Sequence, residues 1–215
     1  MWNWLHQNAQ VINVFANLGM LLIWGIYLQL LLNNFRRQRH SRMVINLGRG
    51  RGVKALCIIS NMSQEPVFID GIVGVLDTSE GTYTCDLTDF TDNNKEDEKN
   101  TPDTSELRQV IRQGPLSQGQ YIQIGSFQKL IEGVATHNGI AIDSDCFPKG
   151  EITFKAFELR LIALYGPEDK PIGACRRFNI KKNDNGDYLL FSDRTRQLRS
   201  RRHHNEVQDW MNDIA

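Results

Sequence analysis

No Asp, Glu, Lys or Arg occurs before Arg36. A run of 35 residues without a formal charge is poorly matched to water and well matched to hydrocarbon. Its first ten residues hold no Lys or Arg, which excludes the basic n-region of a secretory signal peptide, so the segment is expected to stay as an anchor. Cysteine is scarce: Cys57, Cys85, Cys146 and Cys175 lie far apart, with no CxxC pair. That spacing excludes the usual zinc and redox motifs and leaves free buried thiols as the expectation in a reducing compartment. Only the reverse topology would allow disulfides, or make Asn61-Met62-Ser63 a glycosylation sequon. HExxH, GxSxG and the glycine of a calcium-binding EF-hand loop are also missing.

What is present begins with a switch in charge. Residues 18–32 are apolar except for Gln29, and residues 36–54 then carry seven positive side chains and no negative ones: Arg36, Arg37, Arg39, Arg42, Arg49, Arg51 and Lys54. About 20 mostly apolar residues cross a bilayer as a helix, and flanking Arg and Lys stay on the cytoplasmic side. The pattern predicts one spanning helix over roughly 11–32, its amino end outside and the rest of the chain cytoplasmic. Trp2, Trp4, Trp24 and Tyr27, with Arg36, Arg37, Arg39 and Arg42, are the expected membrane-anchoring residues, aromatic rings at the interfaces and guanidinium groups at the headgroups. Asn13 and Asn17, one turn apart, share a stripe with Met20, Trp24, Tyr27 and Leu31. They are a candidate helix–helix contact, since asparagine can hydrogen-bond across helices inside a membrane. The plainer reading places both near the headgroups, bonded to water or to their own helix.

Net charge is zero, but the charge is segregated: residues 36–54 are +7, 77–106 are −8 and 194–202 are +5. No nucleic acid is expected as a partner, because its footprint is one continuous basic face. Residues 89–105 hold a single large apolar side chain, Phe90, and predict a mobile acidic loop.

After the basic collar the periodicity becomes that of strands. Expected strands are 43–47, 53–61, 67–76, 82–87, 121–125, 152–165, 172–180 and 188–191. Gly71 and Gly74 mark bulges or close approaches. A phase switch near Ala156-Phe157 predicts a β-bulge. The turns 166–171 and 183–187, the latter with Asn185-Gly186, predict hairpins. Ser126 should cap a short helix over 126–135 whose buried face is Phe127, Leu130, Ile131 and Val134, ended by Gly139. The fold class is mainly β: an N-terminal transmembrane helix, then an antiparallel, immunoglobulin-like β-sandwich with a short internal helix and a C-terminal amphipathic helix. The expected organisation is 1–35 for the N-terminal segment and span, 36–52 for the basic linker, 53–191 for the sandwich and 192–215 for the final helix. Val207, Trp210, Met211 and Ile214 form the stripe of that helix. Arg196, Arg199, Arg201, Arg202 and Trp210 are a candidate interaction surface for anionic lipid or an acidic partner. The alternative is that the stripe docks on the sandwich and the arginines are solvated.

No constellation reads as catalytic, and no metal or cofactor is expected. His203-His204 with Glu206, and His137 with Asp143, Asp145 and Cys146, lack ligand spacing and read as solvated polar clusters. Gly48–Gly52 would need to open a helix to cradle phosphate, and it precedes a strand. Residues 34–39 (NFRRQR), 59–68 (ISNMSQEPVF) and 196–202 (RQLRSRR) resemble a group of uncharacterised bacterial single-span inner-membrane proteins with a cytoplasmic β-sandwich domain. The resemblance implies that location and no activity. The expected function is a non-enzymatic single-pass membrane protein that presents a cytoplasmic β-sandwich for protein interaction or scaffolding. Its partners would be the bilayer, anionic headgroups, and an unidentified protein or a second copy. The alternative is a ligand-sensing membrane effector or pore-forming homo-oligomer assembled through Asn13 and Asn17.

Overall fold

The computed structural model describes residues 8–38, 40–48, 50–88, 112–143, 148, 152–183 and 187–213, with 36–38, 201 and 202 described by their backbone alone. The chain divides into two units, 1–40 and 41–215. Among its described residues the first holds one helix, α1 (Ala9–Gln38), whose positions 9–35 are all exposed. The second is mainly β with antiparallel sheets, as the periodicity predicts.

Its elements are β1 (Met43–Gly48), β2 (Leu56–Asn61), β3 (Val67–Thr78), β4 (Thr82–Asp86), β5 (Gly114–Leu116), β6 (Tyr121–Ser126), α2 (Phe127–His137), β7 (Phe154–Tyr165), β8 (Ile172–Lys182), β9 (Tyr188–Ser192), β10 (Arg196–Leu198) and α3 (Arg201–Asn212). One sheet has the order β1-β2-β6, the other β10-β8-β7-β3-β4, with β5 added to β3 and β9 to β8. Three strands therefore face seven, whereas a constant-type immunoglobulin domain sets four against three. The contact boundary before Ser41 puts β1 in the folded unit and not in a linker.

Both sheets bury one side in a common core. Met43, Ile45, Cys57 and Ile59 of the small sheet meet Val67, Ile72, Leu76, Phe157, Leu159 and Phe178 of the large one, and Phe127 of α2 closes the gap. Phe127 lies edge-on to Phe157, with centroids 6.2 Å apart, and tilted on Phe178 at 4.5 Å. The first turn of α2 needs acceptors for its free N–H groups. Ser126 Oγ accepts from the Lys129 N–H at 3.3 Å, and the carbonyls of Ala55 and Val53 accept from Phe127 and Gln128 at 3.0 and 2.7 Å. Those bonds explain why the strand expected over 53–61 begins only at Leu56.

The central strands β3 and β7 are covered on both faces. The second face carries Val73, Val75, Ile162, Cys175 and Leu198 under Val207 and Trp210 of α3. Two glycines permit this layering. A Cβ at Gly74 would stand 2.6 Å from Leu87 and 2.7 Å from Val134, so α2 sits where a side chain would be. A Cβ at Gly173 would stand 2.7 Å from Val207, so α3 rests directly on β8. Gly71 lies at a register shift between β3 and β7. A second shift pairs Asp77 with Ala156 and Thr78 with Phe154, one residue upstream of the bulge read from the phase switch.

Two expectations are corrected. Residues 192–214 are not one helix: Leu198 is buried in the second cluster, and the chain adds β10 to β8 before Ser200 starts α3. Strand β5 is absent from the expected set because Pro115 lacks an N–H, yet an edge strand accommodates it. The acidic loop 89–105, Asn185-Gly186 and Ile214 lie outside the described residues.

Candidate functional site

Helix α1 contains one stretch long and apolar enough to cross a membrane, Ala9–Phe35; its most apolar 18-residue window has mean hydropathy 1.9 and none of it is buried. Asn13 and Asn17 are exposed on it. Trp24 and Tyr27 touch edge-on, with centroids 6.3 Å apart. Arg36 and Arg37 belong to its last turn, while Trp2, Trp4 and Arg39 lie outside the described residues.

Two of the C-terminal arginines, Arg196 and Arg199, make hydrogen bonds within the domain. Arg196 is held by both carboxylate oxygens of Glu206, and its Nε donates to Cys175 Sγ at 3.3 Å. The Glu206 hydrogen bond holds the Arg196 guanidinium pKa above its usual range. Arg199 donates to the Ser41 carbonyl at 3.4 Å. Arg201 and Arg202 open α3, with only their backbone described. Trp210 is a correction: it is 3% exposed, packed in the second cluster with the Arg160 guanidinium 5.0 Å from its ring centroid. Its stripe is used inside the domain, with Val207 fully buried beside it.

The segment before α3 also closes a sheet edge. Gln197 accepts from the Met43 N–H at 3.1 Å and donates to the Met43 carbonyl. Thr195 does the same at Ile45, accepting at 3.1 Å and donating at 3.3 Å. Arg176 donates to the Ile45 carbonyl and, at 2.9 Å, to Asn46 Oδ1. Side chains thus satisfy an edge strand that would otherwise template pairing with another chain.

Cys57, Cys85 and Cys175 are free and buried, while Cys146 lies outside the described residues. Burial pushes all three thiol pKa values up, which removes the thiolate that nucleophilic chemistry requires. Among the described residues, no group of three His, Cys, Asp or Glu is placed to hold a metal ion. His203 Nδ1 meets Ser200 Oγ at 3.0 Å and His204 Nδ1 meets the Pro171 carbonyl at 3.2 Å, so the His203-His204-Glu206 cluster is divided among other partners. Asp145 and Cys146 lie outside the described residues. Asn61 is fully buried, its amide donating to the Glu65 and Leu116 carbonyls at 3.0 and 2.8 Å, which closes the sequon in the folded domain.

Sequence reasoning passed over a different set. The large apolar side chains exposed on the β domain, among the described residues, are Met62, Phe68, Tyr121, Leu164 and Phe191. Their strand periodicity places them on outward faces, but a single chain does not show which outward faces a neighbouring element covers. No protein-family model matches the chain, no curated protein matches its sequence, and no solved structure matches its fold.

Proposed function

We propose that the protein is a non-enzymatic, single-pass membrane protein of a bacterial inner membrane that presents its β domain in the cytoplasm for protein interaction. The observation that carries this reading is the Ala9–Phe35 stretch, 27 residues long, whose most apolar 18-residue window has mean hydropathy 1.9 and is not buried. In water such a helix would expose a large apolar area at about 25 cal/mol per Å². The seven cations of residues 36–54 support a cytoplasmic placement of the β domain. The use of Trp210 and the buried thiols for packing supports a binding role over a chemical one.

The test is extraction of the full chain in mild detergent from its own membrane, followed by mass and composition. A foreign protein in fixed stoichiometry, retained through purification, is the expected result. A homo-oligomer alone, dispersed when Asn13 and Asn17 are both changed to Leu, would replace this reading with the pore or effector alternative.

A further inference from the structure

The edges of β1, β4 and β9 are closed by neighbouring groups. Gln197, Thr195 and Arg176 bond the backbone of β1. Asn138 Nδ2 donates to the Thr84 carbonyl of β4 at 3.2 Å. Gly52 bridges to Leu189 of β9, and the Leu190 N–H donates to the Arg51 carbonyl at 2.7 Å. The outer edge of β6 differs. Among the described residues, no strand other than β2 pairs with β6, and no other backbone group bonds Tyr121, Ile122 or Gln123. The strand also lacks the protection usual at an edge: Tyr121–Ser126 holds no proline and no charge of either sign, the devices with which natural edges resist pairing.

Hydrogen-bond direction fixes what this edge offers. The Asn61 N–H donates to the Gln120 carbonyl at 2.9 Å, and bonded and non-bonded pairs alternate along an antiparallel ladder. The next pairs are Ser60 with Tyr121, Ile59 with Ile122 and Ile58 with Gln123. Ile122 therefore directs its backbone groups to β2, while Tyr121 and Gln123 turn theirs outward. A register shift between Cys57 and Ile58, with the positive φ of Gly125, ends the regular strand after Gln123. Tyr121 and Gln123 are exposed, and Ile122 is half-buried against the core.

A second copy fits that edge. A two-fold axis normal to the sheet at Ile122 sets Tyr121 of each copy against Gln123 of the other, and every outward N–H and C=O finds a partner. The contact is isologous, as a two-fold requires, and no like charges meet across it, because β6 has none. Ile122 faces its own copy as a non-bonded pair, with Cα atoms about 4.5 Å apart, which covers what the core leaves open. On the outer face the uncharged rows Val44-Ser60-Tyr121 and Asn46-Ile58-Gln123 continue across the axis.

We propose that the open edge of β6 is a self-association site, at which two copies join their three-stranded sheets into one continuous sheet about a two-fold axis at Ile122. This goes beyond the anchored-binding reading and does not depend on it. So short a ladder pairs reversibly, and cross-linking captures it.

The test is oxidative cross-linking of the purified full chain in mild detergent with copper phenanthroline. Cys146→Ser is the background, which leaves the buried Cys57, Cys85 and Cys175. Ile122→Cys should give a covalent dimer, because a Cα separation of about 4.5 Å lies within disulfide range. Tyr121→Cys alone should give about tenfold less, since that residue and its copy stand about 8 Å apart in this register. Ile122 also touches the core, so a mixture of Tyr121→Cys and Gln123→Cys chains of different tag length tests the register from exposed positions and should give the heterodimer. Adding Gln123→Pro to Ile122→Cys removes an N–H that β2 does not use; the domain should still unfold cooperatively and the cross-link should fall about tenfold. Equal cross-linking at 121 and 122, or no dimer from either Ile122→Cys or the mixture, would overturn the proposal. Unfolding by the proline would overturn the register on which it rests. Loss of the cross-link on changing Asn13 and Asn17 to Leu would move the contact to α1, and an adduct with a different protein in the native membrane, in place of the dimer, would give the edge to another chain; either would overturn it.

Discussion

Gly173→Ala puts the seating of α3 to a quantitative test. The added Cβ would stand 2.7 Å from Val207 Cγ2, 3.1 Å from Trp210 Cζ3 and 3.3 Å from the Leu161 carbonyl oxygen. The first two are side chains of α3, so relief of those contacts requires α3 to move. Overpacking of this kind costs about 1–3 kcal/mol, while replacing a strand glycine by alanine returns about 0.5–1 kcal/mol. Overpacking outweighs that return over nearly all of this range, and the net loss is about 0–2.5 kcal/mol. Val207→Ala alone removes roughly two methylene equivalents from a fully buried side chain, about 1.5 kcal/mol at 0.8 per group. In the double variant the new Cβ occupies space that Val207 vacates. The combined loss should therefore fall short of the sum by about 1 kcal/mol, well outside the roughly 0.3–0.5 kcal/mol scatter of independent sites. The assay is urea unfolding of the full chain in mild detergent, followed by the circular dichroism of the sheets. Strict additivity would refute the placement of α3 on Gly173 and return its apolar stripe to the membrane or to a partner.

Asn61→Ala should destabilise the domain by about 2–4 kcal/mol, because it orphans the buried Leu116 carbonyl and the Ser63 N–H, now bonded at 2.8 Å each; a loss under about 0.5 kcal/mol in the same unfolding assay would contradict that. Glu206→Gln should cost no more than about 1 kcal/mol, since the pair with Arg196 is part-exposed on both sides, and a larger loss would mean that the contact is buried by something else. For Cys57 the folded pKa is raised by burial. Stability is then unaffected below the ordinary thiol value of about 8.5 and falls as pH rises above it, by up to about 1.4 kcal/mol per pH unit, because only the unfolded chain ionises. Replacing Cys57 with Ala should flatten that alkaline slope, and an unchanged slope would assign it to other groups.

Local signals carried most of the architecture. Phe127, Leu130, Ile131 and Val134 recur at helical spacing behind a serine cap, and the helix forms there with that face buried. Ile172 returns along the strand before it because residues 166–171 are rich in turn formers. What one chain did not show was coverage. Both sides of β3 are apolar, but nothing local says that one side receives α2 and the other α3. Trp210 looked available for a partner because the glycine that receives it lies 37 positions earlier, in β8. Pro115 concealed an edge strand, and Leu198 concealed β10, because three-residue strands have too little periodicity to read. The open edge of β6 emerges only when its register with β2 shows which backbone groups point outward.

The central claim is that α1 spans a membrane with the β domain on the cytoplasmic side. The most direct measurement is protease protection of the full chain in cells stripped of their outer layer and in inverted membrane vesicles, after alkaline carbonate has removed peripheral proteins. The account predicts a carbonate-resistant chain whose β domain is shielded in the cells and digested in the inverted vesicles. Release by carbonate, or digestion of the β domain from the outside of the cells, would contradict it.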